Sequence, residues 1–360
     1  MTEAVLSKSR AVAECCFVDV GQGTCNVVLL GDNRAIVIDC GPRGFTPIRL
    51  LEHYGVTTIA ALVVSHNDQD HCGGAGQILE KYPKAIRKIF FLDDRPAREN
   101  RFLAMVRREK QAGNLLNEPM RLEASYSCVI HDEPDKKLSL HVLFPPMLAN
   151  IAAREAKRPN ETSGLLALQC GKRRVVFAGD LGYFQWQEVV KSSGVPLGCD
   201  VLAVPHHGGA LSKSDHSSRQ AWLYNNGMKC DVGVISVGTW NRDHHPRPDH
   251  VAALRRSGTT VLCTQITQHC CGEDELETLR PGVIAPTLPG ESRPTLTCTS
   301  SARRSKHVGC AGTVIVEIGP DHVLVQRLNE HQAAVRRLAQ QPYGHPLCCL
   351  PSDRTGAPPF

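Results

Sequence analysis

From Cys16 onward, short apolar runs alternate with turn residues in the rhythm of β-structure. Phe17-Val18-Asp19-Val20 reads as a strand closed by the glycine turn Gly21-Gln22-Gly23. Residues 26–30 and 35–38 read as a hairpin, because Gly31-Asp32-Asn33 between them tolerates left-handed backbone. A helix is predicted over 46–54, a fully apolar strand over 59–64 and a second helix over 73–82.

The middle of the chain repeats this alternation. Residues 89–92 predict a strand and 97–110 a charged amphipathic helix. Residues 138–144 alternate cleanly and predict a half-buried strand. Residues 165–169 and 174–178 form another hairpin around Gly171-Lys172. Strands follow at 201–204, 232–237 and 260–263, separated by helices at 184–191, 217–225 and 249–256. Hairpins mixed with strand–helix–strand units imply an α/β (α+β) chain with two mixed sheets face to face and helices outside. Residues 264–309, rich in Pro, Gly, Ser and Thr, interrupt the pattern as a cysteine-containing insertion or long loop; 312–318 and 322–326 resume it. The organisation expected is an N-terminal extension at 1–14, one domain at 15–330, and a C-terminal helix with a loose tail at 331–360.

Composition changes this picture little. A formal charge of +5 on 360 residues permits a phosphate-bearing partner without arguing for one. The chain contains no apolar run of the roughly 18 residues that a membrane helix needs. Residues 1–10 are polar, without the apolar centre of a signal peptide, so a cytoplasmic location and no membrane partner are expected. The 16 cysteines mostly stand singly in apolar runs, where a free thiol behaves as a small buried hydrophobe.

Candidate chemistry concentrates in Ser65-His66-Asn67-Asp68-Gln69-Asp70-His71-Cys72-Gly73-Gly74, directly after a buried strand. Imidazole and carboxylate together suit zinc, manganese or iron. In a turning loop, residues two apart can face the same way while the adjacent Asp70-His71 pair addresses a second point. One segment can then feed two metals, an arrangement used for hydrolysis. Two more apolar strands end in ligand-type residues, Phe177-Ala178-Gly179-Asp180 and Val204-Pro205-His206-His207-Gly208. Three such strand ends at one sheet edge form a coherent constellation.

These segments resemble the metallo-β-lactamase superfamily, and most closely the hydrolase domain of ComEC-type DNA-uptake proteins. Residues 17–23, Ile38-Asp39-Cys40-Gly41, Asn160-Glu161-Thr162-Ser163, Ser236-Val237-Gly238, Asn241 and His245-Pro246 extend the match over about residues 15–263. The resemblance implies an αββα sandwich with its site at one sheet edge. By similarity Asp70, His71, Asp180 and one of His206 or His207 hold one metal. His66 and Asp68 contribute to the other, and Asp180 bridges. His207 is favoured as the ligand because it directly precedes glycine, which leaves His206 to act on substrate or orient water. Asp39 resembles the family's buried aspartate that fixes the loop.

Two departures bear on metal choice. Asp68 stands where the commonest family loop has a second histidine, and Asn160 stands where the family has another. Both trade nitrogen for oxygen and make manganese more plausible beside zinc. The expected activity is that of a phosphodiesterase or nuclease with one or two divalent ions, acting on a phosphodiester that could be nucleic acid. A small-molecule hydrolase (cyclic nucleotide, phosphoester or lactone) and a non-catalytic binding module are the alternatives. His245 is expected to protonate a leaving oxygen or bind phosphate, alongside Asp70, His206 and Asp39 in the catalytic set. Cys270, Cys298 and Cys310 could hold a structural zinc.

Overall fold

A computed structural model describes residues 11–44, 46–93, 95–96, 99–124, 128–156, 162–193, 197–214, 216–272, 276 and 307–348. Its strands are β1 (Ala13–Phe17), β2 (Asn26–Gly31), β3 (Arg34–Ile38), β4 (Thr58–Val63), β5 (Ile89–Phe91), β6 (Met120–Arg121) and β7 (Val129–Glu133). Then come β8 (Leu138–Phe144), β9 (Leu165–Cys170), β10 (Arg173–Phe177), β11 (Leu197–Ala203), β12 (Met228–Ile235), β13 (Thr260–Cys263), β14 (Val314–Ile318) and β15 (Val323–Val325). The helices are α1 (Thr46–His53), α2 (Gln69–Cys72), α3 (Ala75–Lys81), α4 (Arg101–Gln111), α5 (Met147–Ala156), α6 (Tyr183–Ser193), α7 (His216–Trp222), α8 (Pro248–Arg256) and α9 (Leu328–Ala339).

The strands build two sheets, ordered β15-β14-β1-β2-β3-β4-β5-β6 and β13-β12-β11-β10-β9-β8-β7. In each, an antiparallel half gives way to a parallel half. The change falls at β3–β4 in the first sheet and at β10–β11 in the second. Parallel neighbours need crossover connections, and here helices supply them.

Side-chain alternation sorts the apolar residues into three layers. In β2, Val28 and Leu30 face the space between the sheets, with Phe17, Ile36, Leu140, Leu166 and Phe177. Val27 and Leu29 point the other way, towards Leu50 and Leu51 of α1, Ile78 and Leu79 of α3 and Phe102 of α4. On the second sheet, Val176 and Leu202 face Trp186, Val251, Leu254 and Val335. Strands covered on both faces read as continuous apolar runs, as 59–64 does. The result is the four-layer αββα sandwich expected.

Several boundaries differ from the sequence reading. The helix expected at 73–82 is α3, Ala75–Lys81, and the short helix α2 at Gln69–Cys72 precedes it inside the ligand-type loop. β1 begins at Ala13, inside the stretch assigned to an extension. Helix α9 crosses the boundary set at 330 and packs Ala334, Val335 and Leu338 into the outer core, so the domain runs past it. The short outer strand β7 was not anticipated. No helix among the described residues is long and apolar enough to cross a membrane.

Candidate metal centre

The parallel strands of both sheets end on a common edge. There the loop after β4 (Ser65 to Asp70), the residues after β10 (Ala178 to Asp180) and those after β11 (Val204 to Gly209) meet. Asp180 stands at the centre. His71 Nε2 lies 3.1 Å and His207 Nε2 3.8 Å from its Oδ1, while His66 Nε2 lies 3.7 Å and His206 Nε2 3.8 Å from its Oδ2. Asp70 Oδ2 is 3.1 Å from His207 Nε2, and Asp68 Oδ2 is 3.8 Å from His66 Nε2.

Each histidine is turned by a partner on its other nitrogen. His71 Nδ1–H donates to Asp39 Oδ2 at 2.8 Å, His207 Nδ1–H to the Ser236 carbonyl at 2.8 Å and His206 Nδ1–H to the Ala210 carbonyl at 3.0 Å. His66 Nδ1 lies 3.2 Å from Ser65 Oγ and 3.3 Å from Ser163 Oγ. Ser65 Oγ donates to Asp39 Oδ2 at 2.7 Å, which leaves its lone pair for His66. This is the outer support that fixes tautomer and ring direction in metal sites. All four Nε2 lone pairs therefore converge on one carboxylate.

That arrangement of donor atoms suits a bound cation. His71 Nε2 and His207 Nε2 face each other at 3.3 Å with both Nδ1 atoms already committed as donors, so a proton or a cation must sit between them. His66 Nε2 is buried without a partner, and Asp180 Oδ1 accepts no aligned hydrogen bond although His71 is near. Two groups have their ligand atoms within 4.8 Å of one another, His66/His71/Asp180 and Asp70/His71/His207. The donor set fits a divalent cation at each.

The electrostatics agree. Burial acts to lower the His71 pKa, but the Asp180 and Asp39 carboxylates outweigh it and hold His71 well above the usual imidazole range. His207 is raised too, with Asp70 and Asp180 overcoming burial. Burial and the neighbouring His71 push His66 down. Asp180 sits well below the carboxylate range because His71 and His66 override its burial; His207 and His71 do the same for Asp70.

Local backbone makes these positions possible. His206, His207 and Gly208 are left-handed in succession, at φ 53°, 52° and 74°. Non-glycine residues hold such angles only where surrounding structure enforces them, at a cost of about 1 kcal/mol or more each. His250, fully buried, does part of that work: its Nδ1–H donates to the Gly209 carbonyl at 2.6 Å while Tyr224 Oη–H donates to its Nε2 at 2.5 Å. Gly179, at φ 50°, lets the Asp180 amide donate to Ser163 Oγ at 2.8 Å.

A cavity of about 420 Å³ opens onto these residues, lined also by Gln22, Asp243, His245 and Arg247. His245 stacks on the His207 ring at 6.4 Å and is held by Asn241, whose Oδ1 accepts its amide at 2.6 Å. Burial and the facing His206 and His207 push the His245 pKa down to about 3. It is therefore neutral near pH 7, with a ring N–H available to donate to an oxygen bound in the cavity.

The structure thus brings His66, Asp68, Asp70, His71, Asp180, His206 and His207 together with Asp39 behind them. Asn160 lies outside the described residues, as does Cys298. Cys270 and Cys310 are both buried in the outer core with Cys263, and Cys310 Sγ is 3.3 Å from His331 Nε2. They make no group of three described ligands within 4.8 Å. Ser65 and Ser163 lie inside the motifs singled out in the sequence but carried no assigned role there. Arg95, which pairs with Asp68, and His250 and Tyr224 left no local signal.

Residues 19–90 match the model of the Metallo-beta-lactamase superfamily. Over those residues the chain is similar to metallo-β-lactamase domains. It is 27% identical over 256 residues to Recombination protein 2 of Haemophilus influenzae, covering 69% of this chain and 27% of that one. It is 29% identical over 220 residues to ComE operon protein 3 of Bacillus subtilis, covering 60% of this chain and 25% of that one. The chain spans about a quarter of the length of these curated relatives, which are of the ComEC type. Among solved structures, the metallo-β-lactamase fold protein YhfI of Bacillus subtilis aligns at a TM-score of 0.41 and 12% identity, covering 70% of this chain and 96% of that one.

Proposed function

We propose that this metallo-β-lactamase domain is a metal-dependent phosphodiesterase, with nucleic acid as the foremost substrate class. The observation that carries the reading is the convergence of four Nδ1-anchored histidines on the two oxygens of Asp180. His71, His207, Asp70 and Asp180 would hold one ion; His66, Asp68 and the other Asp180 oxygen would hold the second. Zinc or manganese bound there supplies an activated water and offsets charge on the attacked phosphoryl group. Carboxylate-rich coordination favours hard cations and hence phosphate oxygens. Asp39 and Ser65 keep the loop ligands aimed, and His206, 30% exposed beside Asp180, is placed to hold a proton at the attacking side. His245, neutral in the cavity wall, is placed to donate to a non-bridging or leaving oxygen.

A small phosphoester or lactone is the second reading. It is favoured by the cavity lining, in which Asp68, Asp70, Asp180 and Asp243 face a single arginine, Arg247, already paired with Asp249 at 3.1 Å. Long nucleic acids are ordinarily gripped by several basic contacts. The discriminating experiment incubates zinc- and manganese-loaded protein with DNA, RNA, bis(p-nitrophenyl) phosphate, a cyclic nucleotide and a lactone, with Asp180→Ala as blank. Cleavage of DNA or RNA above the blank is expected. Cleavage of small esters alone would transfer the assignment to the second reading, and no turnover of any substrate would leave a binding module.

A further inference from the structure

Asp68 is held by an arginine as well as facing the candidate centre. Arg95 Nη2 donates to Asp68 Oδ1 at 2.7 Å, with side chains 23% and 38% exposed. The other oxygen, Asp68 Oδ2, faces the unpartnered, buried His66 Nε2 at 3.8 Å. Asp70 differs, since its ion-pair partners among the described residues are the histidines of the centre, His207 at 3.1 Å and His71 at 3.9 Å.

The two candidate positions therefore carry unequal charge. Near His71 and His207, Asp70 and the shared Asp180 offer two carboxylates to the incoming cation. Near His66, the shared Asp180 is joined by a carboxylate already neutralised by a guanidinium, which never gives up its proton. A dication on Asp68 Oδ2 and the guanidinium on Oδ1 repel one another across one carboxylate.

Resting on the metallo-hydrolase reading above, we propose that Arg95 is a gate on metal loading. It serves as the resident counter-ion of Asp68, so the position at His71/His207 fills first and the position at His66 fills weakly. The gate reaches substrate as well. With one dication the four aspartates lining the cavity are only just offset by the ion, Arg247 and Arg95, and an anionic phosphodiester meets no net attraction; a second ion makes the site positive. Arg95 thereby sets the divalent-ion concentration at which an anionic substrate is admitted.

Manganese titration of the metal-stripped full chain by calorimetry, with elemental analysis, tests this on wild type, Arg95→Gln, Asp68→Asn and the double variant. Wild type should show a tight and a weak phase. Arg95→Gln should tighten the weak phase by about tenfold or more, the effect of removing one charge a few ångströms from a dication, and leave the tight phase alone. In the Asp68→Asn background the same change should do nothing. Arg95→Lys, which keeps the charge, should titrate like wild type and guards against a folding defect in the glutamine variant. An unchanged or weakened second phase in a folded Arg95→Gln protein overturns the gate while leaving the hydrolase reading intact. Wild type that binds no manganese or zinc at all removes both.

Discussion

Asp39 Oδ2 lies 2.8 Å from His71 Nδ1, and this contact decides which nitrogen of His71 faces the cavity. The same carboxylate receives the Ser65 amide and hydroxyl, each at 2.7 Å, and so fixes the start of the ligand loop. Asp39→Asn should fold normally by circular dichroism yet bind zinc or manganese about 10- to 100-fold more weakly, the usual loss when outer support is removed. Unchanged affinity in a calorimetric titration would show that the loop orients His71 without Asp39.

Asp180 offers one oxygen to each group of nitrogens. Asp180→Ala should therefore bring metal content towards zero at both positions and lower any hydrolytic rate by more than about 100-fold, beyond an outer-support loss. Elemental analysis of the purified variant reads this directly. Retention of one full equivalent of metal would mean that Asp180 belongs to one position only.

His245 touches the cavity but neither ion position. His245→Ala should keep its metal and lose about 100-fold in kcat on a dinucleotide, whose leaving alkoxide needs a donor. On bis(p-nitrophenyl) phosphate, whose leaving group departs without a proton, the loss should be much smaller. Equal losses on both would assign His245 to substrate binding instead.

His331, 4% exposed on α9, supplies a pH dependence remote from the metal centre. Burial lowers its pKa to about 4 in the folded chain, against about 6.5 when unfolded. Above pH 6.5 both states are neutral and stability is unaffected. Between pH 6.5 and 4 the unfolded state takes up a proton that the folded state refuses. The protein should lose about 3 kcal/mol over that window and no more below it. Denaturant unfolding of wild type and His331→Leu across this range should show the slope in wild type and its flattening in the variant.

Much of this was legible because buried strands and metal loops leave strong local signatures. The alternation at 138–144 predicted β8 residue for residue, and Gly31-Asp32-Asn33 marked its hairpin turn, in which all three residues are left-handed. The candidate ligands were legible because each group follows an apolar run. Arg95 was not, because nothing local marks an arginine that reaches an aspartate 27 positions earlier. Tyr224 and His250 were hidden for a related reason: His250 donates to a backbone carbonyl, that of Gly209, and Tyr224 donates to His250. β7 escaped because its outer face is polar and half-exposed.

The ligands come from both sheets, His66 to His71 from the edge of the first and Asp180 with His207 from the edge of the second. Both candidate groups draw on the two sheets together or on Asp180 between them, so a cation bound here would act as a rivet through the seam. Loading and apposition of the two layers become one equilibrium, since an ion that binds only the closed seam holds it closed. Chelation should then be felt first as slippage between layers: faster amide exchange along β4 and β10, well before either sheet comes apart.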